Sequence, residues 1–244
     1  MTTPDQSGDT LDSLLRGLTD RGRRFTVYRR EGDDDVLDRF PNRNVEVATE
    51  TLPPDGPDPF LVVEEDGTFA GMVSLADVDS LLEPPIARPG ERDGVSEGYR
   101  VFFDALDDTV FTSIRRRELL AVSREIEDRA YRVGHGTLRV CFQSLSTFRT
   151  QLPVYRVLVD DTALDVHVYG AADWEPPAVP GITYHALEEG EDDPLARFWV
   201  LAFDGGGHEE RACGLVARET GDAYTGFWTD DPTVVKAVAT ALDA

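Results

Sequence analysis

A helical apolar stripe that ends in glycine and runs directly into an apolar strand is the feature that most constrains this chain. Between residues 111 and 143, apolar residues recur at spacings of three and four, the period of one helix face. The stripe consists of Leu119, Val122, Ile126, Ala130 and Val133, and the charged residues Glu118, Arg124, Glu125, Asp128 and Arg129 are expected mostly on the other faces. Gly134 follows, and glycine commonly ends a helix. The sequence therefore predicts a long helix followed at once by a buried strand over 137–143.

The residues after this strand predict a βαβ unit. Residues 146–160 are predicted as a helix that Pro153 bends or restarts, because proline has no N–H and its ring clashes with the preceding turn. Residues 164–169 are predicted as the next strand. Two strands joined in this way are expected to be parallel, with a right-handed crossover. Further strands are predicted over 183–187, 197–203, 212–219 and 224–228, before a closing helix that begins at Pro232.

The first half of the chain has a similar order of elements. Leucines at helical spacing predict a helix over 10–18, entered from Asp9 or Thr10. The other predicted elements are strands over 24–29 and 44–49, a short helix around 36–40, a hairpin of strands 60–65 and 68–73 around Asp66–Gly67, and a helix from Ser74 to Leu82. This shared order suggests an internal duplication, although shared architecture alone could produce it.

Prolines and glycines between residues 84 and 95 mark a break in the pattern, and a helix is predicted over 95–106. We therefore predict an α/β fold with mixed sheets, made of two related βαβ-plus-hairpin lobes packed together. The predicted division is an N-terminal α/β lobe over 1–84, a linker and connecting helix over 85–104, and a second domain over 105–244.

The charge of the chain excludes some partners. The formal net charge is −23, and Lys236 is the only lysine among 24 basic residues. The charge is spread, with −11 over residues 1–95 and −12 over residues 96–244. A polyanion would meet a strongly negative field, so we expect no direct contact with nucleic acid. An even acidic coat suits high salt and suggests a halophilic archaeal source, while a merely acidic protein is the alternative. No signal peptide and no membrane span is recognised, so a cytoplasmic protein is expected.

Cysteine and histidine do not show the spacing of a metal site. Cys141, Cys213 and the four histidines form neither C-x₂-C nor H-x₃₋₅-H patterns, so no metal and no cofactor are predicted. No serine lies in a G-x-S-x-G motif, and no catalytic residue is predicted. The glycines of Phe203–Gly207 run into a predicted strand rather than a helix, which favours a wide hairpin turn over a phosphate site.

Two groups of side chains are candidates for binding. The aromatic candidates for a cavity that takes a small apolar or planar ligand are Phe142, Tyr169, Trp199, Phe203 and Trp228. The alternative to a ligand cavity is that these aromatic side chains belong to the core, where most such aromatics are expected. The candidates for contact with an anion or with a partner's carboxylates are Arg115, Arg116 and Arg129. Solvated arginines or ion pairs within the helix, such as Arg124 with Asp128, are the alternative there.

Several ordered motifs resemble the DICT sensory domain family, named for its occurrence with diguanylate cyclases and two-component systems. They are Phe111–Ser113, Ser123–Ala130, Gly136–Leu138, Phe142–Leu145, Val166–Gly170, Arg197–Gly207 and Gly226–Pro232, within residues 105–243. The resemblance implies a non-enzymatic sensing or adaptor module that binds a small ligand or a signalling or transcription-regulatory protein. No output domain is recognised in the sequence, so we expect the module to stand alone and act through a partner. The alternatives are a constitutive interaction scaffold or homodimer without a small ligand, and an enzyme with a polar cleft.

Overall fold

The computed structural model describes residues 6–19, 23–32, 45–65, 67–76, 107, 110–114, 116–187 and 194–244. The helices predicted around 36–40 and over 95–106, and nearly all of the helix predicted from Ser74 to Leu82, lie outside these residues. The predicted linker over 85–104 also lies outside them, so the proposed domain division stays a prediction.

A small sheet of four strands is formed by the first part of the chain. Its strands are β1 (Arg23–Arg29), β2 (Val45–Thr51), β3 (Phe60–Glu65) and β4 (Thr68–Ser74), in the order β2-β1-β3-β4. Strands β1 and β2 are parallel, while β3 is antiparallel to both β1 and β4. The predicted hairpin around Gly67 is confirmed, and Gly67 has the positive φ of 77° that such a turn requires.

A larger sheet of seven strands is formed by the rest of the chain. Its strands are β5 (Phe111–Ile114), β6 (His135–Ser144), β7 (Ala163–Ala171), β8 (Ile182–Leu187), β9 (Phe198–Phe203), β10 (Cys213–Thr220) and β11 (Ala223–Thr229), in the order β5-β11-β10-β9-β6-β7-β8. Strand β6 is parallel to β7 and antiparallel to β9. The parallel pairing predicted for the βαβ unit is therefore confirmed, and the mixed α/β fold class is confirmed with it.

Helices cover both faces of the large sheet. They are α1 (Gln6–Thr19), α2 (Arg116–Val133), α3 (Leu145–Phe148), α4 (Leu152–Asp161) and α5 (Pro232–Leu242). The break between α3 and α4 falls just before Pro153, where the sequence predicted a bend or restart. The N-cap predicted for α1 at Asp9 or Thr10 is wrong, since that helix already begins at Gln6.

Two layers of apolar side chains hold the helices on the large sheet. On one face, the stripe of α2 and the buried residues of α3 and α4 pack against the sheet in a cluster that also includes the buried side chains of the small sheet. On the other face, α5 packs together with Leu11 and Leu15 of α1. Arg218 of β10 adds an ion pair to Asp12 of α1 at 2.7 Å. The N-terminal helix is thus part of the layer that covers the large sheet.

Candidate functional site

Helix α2 lies on the large sheet and separates two polar regions. Its residues Leu119, Val122, Ile126 and Ala130 are buried against the sheet, as the helical period predicted. The helix ends at Gly134, whose φ is 74° and whose N–H donates to the Ala130 carbonyl at 2.9 Å. A residue with a Cβ would be strained in this conformation, which explains glycine at this position.

One flank of α2 is tied to α4 through buried polar groups. Tyr155 donates its hydroxyl proton to Glu127 at 2.6 Å, and Arg124 contacts both Glu127 and Gln151. Glu127 is only 2% exposed, so the tyrosine and the arginine supply the hydrogen bonds that water would otherwise make. Burial raises the pKa of Tyr155 well above its usual value.

The other flank of α2 faces the end of β11 through a second set of ion pairs. Arg129 pairs with Asp230 at 2.8 Å, and Arg132 contacts Glu125 at 3.4 Å as well as Asp128. Burial raises the pKa of Glu125, although the charges of Arg132 and Arg129 oppose that shift. Burial also raises the pKa of the neighbouring Cys213 thiol to about 12, which argues against a reactive thiolate at neutral pH.

Three acids of this helix that lie outside its apolar stripe are buried. They are Glu125, Glu127 and Asp128. A helical period identifies the face with the most apolar residues, but it does not reveal how far neighbouring elements wrap around the flanks. Here the charged flanks are covered as well, and each acid compensates for lost hydration with an arginine or tyrosine partner.

A cleft of about 340 Å³ opens beside this second flank. It is lined by Glu125, Arg129, Arg132, Val133, Glu210, Arg211 and Asp230. Arg129 and Arg132 are already paired with carboxylates, and Glu210 lies 3.4 Å from His208. Within the part of the chain that the structure describes, the guanidinium of Arg211 has no ion-pair partner. The cleft therefore offers a charged donor group beside two arginines that could exchange partners.

The predicted arginine candidates do not converge on one place. Arg129 lines the cleft, whereas Arg116 is exposed near the beginning of α2 and holds its guanidinium 5.5 Å from the centre of the Trp199 ring. The two lie thirteen residues apart, which corresponds to roughly 20 Å along a helix. Arg115 lies outside the described residues. Sequence reasoning missed Arg211 and Asp230, because only the fold brings the 209–211 turn and the end of β11 to α2.

The five aromatic candidates are all buried and lie on both faces of the large sheet. Phe142 and Trp199 are neighbours, with ring centres 6.5 Å apart, and Trp228 stacks on Phe111 at 4.7 Å. Phe203 is fully buried in the same layer. Tyr169 lies on the opposite face and donates to Asp243 at 2.5 Å. The structure thus brings together only part of the predicted set.

The space beside Phe142 and Trp199 is small. The cavity there measures about 10 Å³ and is also lined by Arg116, Glu127 and Tyr155. A cavity of this size holds at most about one water molecule, whereas sites for drug-sized ligands commonly measure roughly 300–1,000 Å³. In this conformation the aromatic side chains act as core.

The glycine loop after β9 is a turn, as the sequence predicted. The Asp204 carboxylate accepts hydrogen bonds from the backbone N–H groups of Thr137 at 3.0 Å and Gly206 at 2.9 Å. Gly206 has a φ of 62°, and a Cβ there would lie 2.6 Å from the His135 carbonyl oxygen. These contacts fix the turn against the start of β6, and the loop then continues to β10 rather than to a long helix.

Two histidines lie close together on the face of the large sheet opposite helix α2. His167 and His185 have ring nitrogens 2.9 Å apart, and His167 also contacts Asp165 at 3.1 Å. The desolvation caused by burial lowers the pKa of His185, and the neighbouring His167 adds to this shift. Within the ranges described above, no group of three or more histidine, cysteine or acidic side chains is arranged to hold a metal ion.

Part of this chain matches a known protein family. Residues 103–220 match the family model described as "Sensory domain in DIguanylate Cyclases and Two-component system". These residues are a DICT domain. The DICT domain includes all of α2 and the 209–211 turn, and therefore most of the residues that line the charged cleft. The resemblance seen in the sequence is confirmed, and the matched family is a sensory domain by its description.

The other comparisons add little to the DICT assignment. No curated protein matches the chain. The crystal structure of polyphosphate kinase from Porphyromonas gingivalis is similar with a TM-score of 0.35 and 12% identity, over 95% of this chain and 48% of that one. This chain thus spans about half the length of that structure, and so low a score supports no conclusion about fold or function. Among the described residues, no helix is both long and apolar enough to cross a membrane.

Proposed function

We propose that this DICT protein senses a small anionic ligand in the charged cleft and passes the signal through helix α2 to a partner signalling protein, without catalysing a reaction. The observation that carries the proposal is Arg211, a residue that lines the cleft and has no ion-pair partner among the described residues. Guanidinium groups bind carboxylates and phosphates through paired N–H donors. The volume of about 340 Å³ lies at the lower end of the range for small-ligand sites.

The neighbouring arginines give the ligand a route to the rest of the protein. An anion held by Arg211 would compete with Asp230 for Arg129 and with Glu125 for Arg132, since each of those arginines is engaged with a carboxylate. Weakening these pairs would loosen α2 from the end of β11 and change its position on the sheet. A ligand shifts the equilibrium between two positions of α2 only by the difference in its affinity for them. An anion that replaces these ion pairs binds more tightly to the position in which the pairs are broken.

Electrostatics does not prevent an anion from binding to this acidic protein. The lining contributes three arginines against three acids, so the cleft is locally balanced while the chain as a whole carries −23. Salt reduces the repulsion from distant acids, since the screening length at 1 M is about 3 Å. Contacts inside the cleft are shorter than this or similar to it, and they are retained. We therefore expect the anion to bind in the cleft at high salt.

The alternative with an apolar ligand requires a larger rearrangement. A cavity of about 10 Å³ beside Phe142 and Trp199 would have to expand by moving α2 or α4 away from the sheet. That movement would break the contacts among Glu127, Tyr155 and Arg124 as well as apolar packing. A planar ligand would thus have to displace packed core side chains. An anion finds an open cleft and the guanidinium of Arg211, which has no ion-pair partner among the described residues.

The test combines native mass spectrometry with binding measurements. The protein purified from its own host would be examined for a retained small anion, and inorganic phosphate and succinate would be titrated by calorimetry as simple probes. We expect a bound anion, and a dissociation constant that rises about tenfold or more in Arg211→Ala, since a hydrogen bond to a charged group contributes roughly 1.5–3 kcal/mol. Arg156→Ala is the matched control, because Arg156 is exposed on α4 and does not line the cleft.

Two results would count against the anion site. An apolar molecule retained by the protein, and lost in Trp199→Ala rather than in Arg211→Ala, would favour the aromatic region. Equal affinities of Arg211→Ala and the wild-type protein for the retained anion would place binding elsewhere.

A further inference from the structure

The wall of the charged cleft contains a buried acid with a weak partner. Glu125 lines the cleft and is only 5% exposed. Its hydrogen-bond partner among the described residues is Arg132, at 3.4 Å, which is longer than the usual range of about 2.7–3.2 Å. That arginine is shared, because its other terminal nitrogen contacts Asp128. A buried carboxylate with one long and shared contact has lost its hydration without full compensation.

The other two acids that line the cleft are better compensated. Asp230 accepts a hydrogen bond from Arg129 at 2.8 Å and is partly exposed. Glu210 is exposed, so water can solvate its charge. Of the three acids in the lining, Glu125 is therefore the one that loses least by taking up a proton.

The charge of Glu125 depends on the arginines that an anion would engage. Burial raises the pKa of Glu125, while the positive charges of Arg132 and then Arg129 hold it down. The side chain of Arg132 is 40% exposed, so it can turn toward a ligand in the cleft. An anion that draws these arginines to itself, and adds its own negative charge, raises the pKa of Glu125 further.

Other titratable groups near Glu125 come from each element around the cleft. They are Asp128 of α2, Cys213 of β10, Asp230 at the end of β11, Glu210 and Arg211 of the 209–211 turn, and His208, which contacts Glu210 at 3.4 Å. The Cys213 thiol stays neutral at ordinary pH, because burial raises its pKa to about 12. The histidine is the group whose titration has to be separated from that of Glu125, since an imidazole changes charge near neutral pH.

We propose that the cleft binds its anion together with a proton from solvent, which the Glu125 carboxylate accepts. This inference rests on the proposed anion site and adds its regulation by pH. The lining holds three arginines and three acids, so an anion alone would leave the cleft negative. The proton on Glu125 compensates for one charge of the ligand and removes the repulsion between the ligand and the buried carboxylate. The cleft then responds to the anion and to acidity together.

Anion affinity should therefore fall as the pH rises. Below the pKa of Glu125 in the free protein, which lies above the ordinary value of 4.5, the carboxyl group already carries its proton and the anion binds most tightly. Above that pKa, binding requires a proton from solvent. The dissociation constant then rises with pH until the pH exceeds the higher pKa of the anion-bound form.

The test is calorimetric titration with sulfate at molar sodium chloride, because sulfate keeps its two charges across the neutral and mildly acidic range. We expect the dissociation constant to rise about tenfold or more between about pH 5 and pH 8, since the charge of a nearby arginine moves a carboxyl pKa by roughly 1–3 units. Titrations in buffers of different ionisation enthalpy would count the protons, and we expect net uptake of up to about one proton per sulfate. Arg211→Ala should weaken sulfate binding at every pH.

Glu125→Gln removes the titrating group and keeps the size of the side chain. This variant should bind sulfate at about pH 8 as tightly as the wild-type protein does at about pH 5, and without proton uptake, because its side chain is neutral at both. His208→Gln is the matched control, since it removes the imidazole that contacts Glu210, and it should keep the wild-type pH dependence. Circular dichroism at each pH would verify folding, and the proton count in the wild-type protein requires no substitution.

The outcomes separate this inference from the anion site itself. Sulfate that binds with the same affinity at each pH and takes up no proton would overturn the linkage and leave the anion site in place. A linkage that His208→Gln abolishes and Glu125→Gln retains would assign the proton to the histidine, which also overturns the proposal. Sulfate that binds at neither end of the pH range would contradict the anion site, and this inference with it.

Discussion

The two sheets of this protein share one pairing plan and differ in how they are covered. In the small sheet, β1 is parallel to β2 and antiparallel to β3, which forms a hairpin with β4. In the large sheet, β6 is parallel to β7 and antiparallel to β9, which is in turn antiparallel to β10. The order β2-β1-β3-β4 therefore recurs as β7-β6-β9-β10. This recurrence is what an internal duplication predicts, and the duplication itself stays a hypothesis.

The difference lies in the helices. The large sheet is enclosed by α2, α3 and α4 on one face and by α1 and α5 on the other. The small sheet buries one face, with Phe25, Val27, Leu61 and Val63, and leaves Phe69 and Met72 exposed. Helix α1 precedes β1 in the chain but covers the large sheet.

The comparison teaches where each kind of function can arise. An enclosed sheet fixes the elements around it, so the buried ion pairs and the cleft of the DICT domain have a defined geometry. The small sheet differs in that Phe69 and Met72 stay exposed on it. The proposed sensing role therefore belongs to the enclosed sheet, on which the cleft lies.

The largest expected effect comes from truncating the core of the enclosed sheet. Trp228→Ala should lower the free energy of unfolding by about 3–5 kcal/mol, since the ring is 5% exposed and stacks on Phe111. Chemical denaturation would measure the change. Val47→Ala on the small sheet should stay within about 0.5 kcal/mol, and equal effects of the two substitutions would remove the contrast between the sheets.

A smaller effect is expected at the polar contact between α2 and α4. Tyr155→Phe removes the proton that the buried Glu127 carboxylate accepts and should reduce stability by about 1–3 kcal/mol, as for other buried groups left without a partner. Tyr131→Phe is the control, because its hydroxyl contacts Asp161 at the surface at 3.3 Å. If both variants unfold at the same denaturant concentration, Glu127 does not need its tyrosine.

The pH dependence of stability should report on the cleft flank of α2. Burial raises the folded-state pKa of Glu125 above its ordinary value of 4.5, so the folded protein holds this proton more tightly than the unfolded chain. The contribution of Glu125 is therefore complete below pH 4.5 and is lost as the pH rises through the folded-state pKa. Denaturation midpoints across this range should show a flatter slope for Glu125→Gln. The exposed Glu209→Gln should retain the wild-type slope, and an unchanged slope in Glu125→Gln would contradict the shift.

The smallest expected difference concerns salt. Transfer to low salt should lower the thermal midpoint, because it removes the screening of a net charge of −23. The effect should appear first in the small sheet, since residues 1–95 carry −11 and the remaining 149 carry −12. Hydrogen exchange would show faster exchange in β1–β4 than in β6, β9 and β10. Unchanged stability at low salt would contradict the halophilic interpretation.

The sequence determined the elements of this protein. The apolar period of α2, the glycine that ends it, the alternating strands and the break at Pro153 were all readable, because each follows from local backbone preference and from the spacing of apolar side chains. The DICT motifs were readable for the same reason, since they follow the chain in order. The turn around Asp204 could be predicted, because the glycines beside it lead into a strand.

Only the tertiary structure decided the site. Arg211 and Asp230 lie 82 and 101 residues from Arg129 in the sequence, and the antiparallel pairing of β10 and β11 brings them to one cleft. Long-range packing also decides three further features. These are the burial of Glu125, the division of the aromatic residues between the two faces of the large sheet, and the packing of α1 on that sheet. Local patterns specify which side of an element is apolar, but which surface covers that side is a property of the whole fold.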